Sequence, residues 1–191
     1  VINVADLRAA VQQSVDGARE MLGTPLPPAF VGITGNHFQM SSTVASVTLR
    51  TESQNAISQR DVDQLIESSR PELSGDHQVV HVIPRRYQVD ELHGIRSPVG
   101  LSGKHVTVEA QVISGETASL ASVVRVVHST GVPLRGLVMG HIASSEAVLT
   151  TDDKESGVVL ADIGGGTCDV AIYKDGALYH MAAVPVAGQQ F

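Results

Sequence analysis

The stretch Asp162-Ile163-Gly164-Gly165-Gly166-Thr167-Cys168-Asp169 constrains this chain more than any other. An apolar run, residues 157–163, enters it, and a second, from Cys168 to Tyr173, leaves it. The glycines therefore close a turn between two strands. Three in succession let the backbone bend tightly and come close to a ligand, and amides converging from such a turn form a nest for an anion. Thr167 adds a hydroxyl donor. Asp162, at the end of the incoming strand, is placed to hold a hydrated Mg²⁺ or to orient a water. Asp169 opens the outgoing strand, where it can hydrogen-bond the turn. A glycine-rich turn is also the common way to close a bare hairpin, so the residues alone leave both readings open. No Lys-Ser/Thr pair follows the glycines, which excludes a Walker loop. A strand rather than a helix follows, which excludes a Rossmann fingerprint.

Upstream, helix and strand patterns alternate. Residues 4–22 repeat Val4, Leu7, Val11, Val15, Ala18 and Leu22 at helical spacing, with Asn3 as cap and Gly23 as stop. Residues 29–34 read as a short buried strand and 38–50 as a patchier one. Ser58 with Asp61 opens a second helix through about Ser69. Residues 77–90 read as a strand with Val80, Val82 and, as one of two readings, Tyr87 facing a core, in which Pro84 points to an edge or a bulge, and 94–103 as a turn-rich loop. Residues 104–114 alternate, with Val106, Val108, Ala110 and Val112 facing a core and His105, Thr107, Glu109 and Gln111 facing out. A third helix covers 117–130, a strand 134–142, and a short helix 143–150, where Ser144 and Ser145 read as caps. Residues 157–163 read as a buried strand. Asp175-Gly176 is a hairpin turn leading to a last strand over 177–186. The fold class is α/β.

Composition narrows the function. The net charge of −7 argues against a nucleic-acid binder, which needs a basic surface against phosphates. A single cysteine, Cys168, can build neither a disulfide nor a zinc cluster within the chain and fits a reducing, cytoplasmic setting. No apolar run approaches the about 20 residues needed to span a bilayer. His37, His81, His93, His105, His128, His141 and His180 are scattered without a metal-binding spacing. Cys168 could be imagined as a nucleophile with His141 or His180 as base, but no spacing supports this and a strand filler is the simpler reading. Arg85-Arg86 beside Tyr87 reads as an edge that blocks strand pairing.

Two stretches carry a family resemblance. The run from Asp162 through Leu178 resembles the second phosphate motif of the actin, DnaK-type chaperone and sugar-kinase superfamily. The pattern His81, Val82, Ile83, Pro84, Tyr87, Asp90, Gly94, Ile95, Pro98, Gly100, Leu101, Ser102, Gly103 is similar to the inserted subdomain 1C of the FtsA family of bacterial cell-division proteins. The likeness is collinear from about Val4 to Gly188. It implies a partial actin-like (ribonuclease H-like) fold with an inserted α+β subdomain: residues 1–36 part of subdomain 1A, 37–116 subdomain 1C, 117–156 the return of 1A, and 157–191 the start of 2A with its phosphate hairpin.

For function, the resemblance implies a scaffold that binds ATP with Mg²⁺, is at most a weak ATPase, and associates with itself into filaments. It implies a place on the inner face of the cell membrane at the division site, with a C-terminal membrane helix beyond residue 191, FtsZ and later division proteins as partners, and no nucleic acid. Cofactor-binding residues would be Asp162, Gly164, Gly165, Gly166, Thr167 and Asp169, with Asp162 on the metal, and Arg85, Arg86 and Tyr87 would form a protein contact. The family's first phosphate loop is expected upstream of Val1, so residues 1–191 alone should bind ATP poorly. Alternatives within the superfamily are a PilM-like adaptor of type IV pili and a chaperone or sugar-kinase type ATPase.

Overall fold

A computed structural model describes residues 3–49, 56–73 and 75–190, for Gln190 the backbone only. Helix α1 spans Val4–Leu22; Asn3 Oδ1 accepts the Ala5 amide at 3.0 Å, and Gly23 ends it at φ 65°. Leu7, Val11, Val15 and Ala18 are half-buried, whereas Val4 and Leu22 at the ends of the stripe stay exposed. α1 lies on α3 (Thr117–Ser129), where the Arg19 guanidinium donates to the Thr130 carbonyl at 2.9 Å.

Three sheets follow. In the first, β1 (Ala29–Ile33) pairs in parallel with β6 (Leu134–Met139), bringing Ile33 beside Met139. The second is antiparallel with order β2 (Phe38–Thr48), β5 (His105–Glu116), β3 (His77–Val89), β4 (Leu92–Ile95). Helix α2 (Gln59–Ser68), started by a Ser58–Asp61 capping box, seats Val62 and Leu65 on that sheet against Tyr87, Val89, Val106 and Val108. The third sheet is the meander β7 (Val158–Ile163), β8 (Cys168–Lys174), β9 (Ala177–Val184). Asp175 and Gly176, both at positive φ, make its second turn.

Several elements differ from the pattern expected. β5 alternates only as far as Ala110; Gln111 through Gly115 are buried on both faces. The reason is that Ile113, still paired with Met40 and His81 in the sheet, belongs to a second core with Ile33, Leu120, Met139, Tyr173 and Leu178. β7 is an edge strand with one open face, so Val159 and Ile163 are exposed rather than buried. The loop expected over 94–103 begins instead inside a strand: the chain reverses at Asp90, at φ 49°, and β4 pairs Ile95 with Tyr87. Asp90 secures that reversal by accepting the His105 amide at 2.9 Å. Helix α4 starts three residues early, at Gly140–Val148, and a further helix α5 (Thr151–Ser156) follows on a Thr150–Asp153 capping box. Pro84 sits at a bulge: the β3–β5 ladder shifts register between Pro84 and Arg86.

Candidate functional site

The β7–β8 hairpin holds Asp162 directly opposite Asp169 and Ile163 opposite Cys168. Between them Gly164 donates its amide to the Thr167 carbonyl at 2.9 Å, closing the turn. None of the three glycines has a left-handed φ, so the turn does not need them for backbone freedom. Space is the reason at Gly164, where a Cβ would come within 3.1 Å of the Thr167 carbonyl oxygen; at Gly166 a Cβ would meet nothing within 4 Å.

A short 3-10 turn, Gly188–Gln190, folds back onto the hairpin. Gly188 donates to the Gly164 carbonyl at 3.1 Å and Gln189 to the Gly165 carbonyl at 2.9 Å. The carbonyls of Gly164 and Gly165 are thereby covered, while the amides of Gly165, Gly166 and Thr167 have no acceptor among the described residues. Gly165 and Gly166 are exposed and Thr167 is half-buried. The turn thus keeps three amides free while two of its carbonyls are engaged, the balance of donors an anion nest uses.

The two carboxylates share a face of the sheet because residues opposite each other in an antiparallel pair point the same way. Like charges so placed repel, and helix α4 lies against them. Ser144 donates its hydroxyl to Asp162 Oδ2 at 2.6 Å. It is therefore not a helix cap. Its neighbour Ser145 is not one either: it is fully buried, donating to the Ile142 carbonyl and bonded to the Tyr173 hydroxyl at 2.7 Å. Asp169 is buried and makes no hydrogen bond to the glycine turn among the described residues, contrary to expectation; its neighbour is His141.

His141 is 2 % exposed and its Nε2 has no partner among the described residues. Burial pushes its pKa down, against the opposing pull of Asp169 and Asp162. It lines a cavity of about 190 Å³ with Asn36, Met139, Asp169 and Ala183, where the ends of β1 and β6 meet β8 and β9. His81 stands behind it: Nε2 accepts the Met139 amide at 3.2 Å, and burial together with His141 lowers its pKa too. Sequence spacing gave no signal for either histidine: the packing of α4 brings His141 to the carboxylates, and His81 reaches His141 from strand β3. Cys168, half-buried, alternates with Asp169 and so points to the opposite sheet face from His141. His180 is exposed. No Cys–His bond exists among the described residues, and the nucleophile reading has no geometry behind it.

At the proposed contact surface, Arg86 is exposed and Arg85 half-buried, but Tyr87 is 6 % exposed and packs in the core under α2. Of its two expected roles, Tyr87 thus takes the core one, and the contact reading for it is corrected. Among the described residues no group of three or more His, Cys, Asp or Glu side chains is arranged to hold a metal by itself, and no helix is long and apolar enough to cross a membrane.

The arrangement defines a class first. It is a mixed α/β chain of actin-like fold carrying an inserted domain, and residues 35–114 match the family described as the SHS2 domain inserted in FtsA. A type IV pilus biogenesis complex of PilM and PilN contains a chain of similar fold, with a TM-score of 0.59 at 11 % identity, over 95 % of this chain and 49 % of that one. The particular relatives are cell division proteins FtsA. The chain is similar to them along its length: 32 % identical to that of Pseudomonas aeruginosa over all 191 residues, and 33 % to that of Escherichia coli over 93 % of its length. It spans 45 % and 42 % of those two relatives.

Proposed function

We propose that this chain forms part of an FtsA-like cell-division scaffold and contributes the β-hairpin that grips the anionic tail of ATP. The amides of Gly165, Gly166 and Thr167, exposed and without acceptors while the carbonyls of Gly164 and Gly165 are covered, are the observation that carries this reading. Gly164 shapes the turn and the Thr167 hydroxyl supplies a further donor. Asp162 fits a hydrated Mg²⁺: it is half-buried, one oxygen is fixed by Ser144, and Asp169 across the ladder adds negative charge. The ion would neutralise phosphate charge. The Asp162 and Asp169 carboxylates would keep a bare phosphate off that face and steer it to the amides.

In the whole protein this hairpin would be one wall of a nucleotide cleft, with subdomain 1A built from residues 1–36 and 117–156, 1C from 37–116 and 2A opening at 157–191. Such a scaffold would associate into filaments on the inner face of the membrane, anchor FtsZ and recruit later division proteins, with ATP turnover weak at most. The pilus adaptor reading rests on fold alone at 11 % identity, whereas the FtsA reading also has sequence identity along the whole chain behind it.

The test is a titration of the 191-residue chain with Mg²⁺-pyrophosphate, followed by amide NMR. The expected result is a saturable shift confined to Gly165, Gly166, Thr167 and their neighbours. No saturable shift there, with the hairpin folded, would overturn the reading.

A further inference from the structure

A second hollow, of about 170 Å³, lies where the edge of the inserted sheet meets the β8–β9 turn, apart from the nucleotide site. Arg85, Arg86 and Arg96 wall it from the inserted sheet and Lys174 from the hairpin. Four cations round one hollow reverse the local sign on a chain whose net charge is −7. Arg85 and Arg86 are consecutive in a strand, and consecutive side chains ordinarily point to opposite faces. Here the β3–β5 ladder slips between Pro84 and Arg86, which leaves Arg85 as the extra residue of a bulge and lets both guanidinium groups line the same hollow.

These cations are not equally committed. Arg96 forms a two-point ion pair with Glu155. Arg86 Nε lies 3.3 Å from Glu109. Among the described residues Lys174 has no carboxylate partner and Arg85 Nε is buried with no acceptor. The Arg85 guanidinium stacks 5.6 Å from the centre of the Tyr179 ring, which holds it in place without satisfying that N–H. A buried charged donor without an acceptor is a vacancy for an oxyanion.

We propose that this hollow receives a carboxylate side chain from an acidic segment of a partner polypeptide, taken up by Arg85 Nε and Lys174 Nζ. Charge balance selects the ligand. Glu109, Glu155 and the rim residue Asp175 offset all but one of the four cations, which a single carboxylate matches and a doubly charged phosphate exceeds. The exposed Tyr179 ring beside Arg85 gives a flat apolar ledge for the main chain that carries the carboxylate.

The test titrates the full 191-residue chain with a capped peptide of alternating Glu and Gly, with its Gln-for-Glu counterpart, and with inorganic phosphate, reading the arginine Nε–H resonances. The expected result is a saturable shift of the Arg85 Nε–H with the Glu peptide only, and affinity lower by about tenfold in Lys174→Gln and in Arg85→Gln. Lys174 is exposed, so its variant carries the test should Arg85→Gln fail to fold. An unmoved Arg85 resonance, unchanged affinity in Lys174→Gln, or phosphate displacing the peptide at equal concentration would overturn the proposal.

Discussion

Ser144 and Asp162, separated by 18 residues, are joined by a 2.6 Å hydrogen bond that fastens helix α4 to the strand entering the glycine turn. His141, three residues before Ser144, lies on the same side of the helix and meets Asp169, the carboxylate opposite Asp162. One helix face thus attends to both acids. Ser144→Ala leaves Asp162 half-buried without its hydroxyl donor, at a cost of about 1–3 kcal/mol. Urea unfolding should show that loss, and Ser144→Thr should recover most of it.

The two buried histidines make stability depend on pH. Burial lowers the pKa of His141 and of His81 below the ordinary 6.5. The unfolded chain therefore binds protons first as pH falls. The stability associated with neutral histidines is complete above 6.5 and is lost as pH drops from there towards the folded-state values, by at most about 1.4 kcal/mol per pH unit for each group. Protonated His81 also loses the lone pair that accepts the Met139 amide. Asp162 and Asp169 moderate the effect at His141. Urea midpoints measured from pH 8 to 5 should fall more steeply in the natural chain than in His141→Gln; parallel curves would contradict the assignment.

Signals that act locally were legible in the residues. The Asn3 cap, the Ser58–Asp61 box, the Asp175-Gly176 turn and the irregularity at Pro84 all stand where local chemistry puts them. The Thr150–Asp153 box that starts α5 carried the same signature as Ser58–Asp61 and was readable in principle. Tyr87 was legible only as two open readings, core or contact, because alternation shows that a strand has two faces but not which one a helix will cover. Nor was the role of His141 and Ser144 legible, because the packing of α4 on β7 and β8 creates it. The doubly buried end of β5 is of the same kind, since it depends on a second core reaching Ile113.

The glycine turn separates shape from binding. Gly166 has open space around its Cβ position and no left-handed φ, so Gly166→Ala should change stability by no more than about 0.5 kcal/mol. The added methyl would stand beside the free amides and weaken Mg²⁺-pyrophosphate binding. Gly164→Ala should act in reverse order, straining the turn first, because its Cβ falls 3.1 Å from the Thr167 oxygen. Thermal unfolding and the phosphate titration, run on both variants, separate the two effects.

Gly103 gives the inserted domain's sequence pattern a steric cause. A Cβ there would lie 2.2 Å from Val89 Cγ1 and 3.0 Å from Asp90 Oδ2. Val89 is 1 % exposed within the cluster under α2, and Asp90 is the residue whose carboxylate secures the start of β5 through the Lys104 and His105 amides. Neither neighbour can retreat without opening the core or releasing the strand. Gly103→Ala should therefore destabilise the chain by about 1–3 kcal/mol, and relieving the clash with Val89→Ala in the same chain should cost less than the two single changes added together. Urea unfolding of the two single variants and the double variant measures that coupling; strict additivity would mean that the two residues do not press on each other.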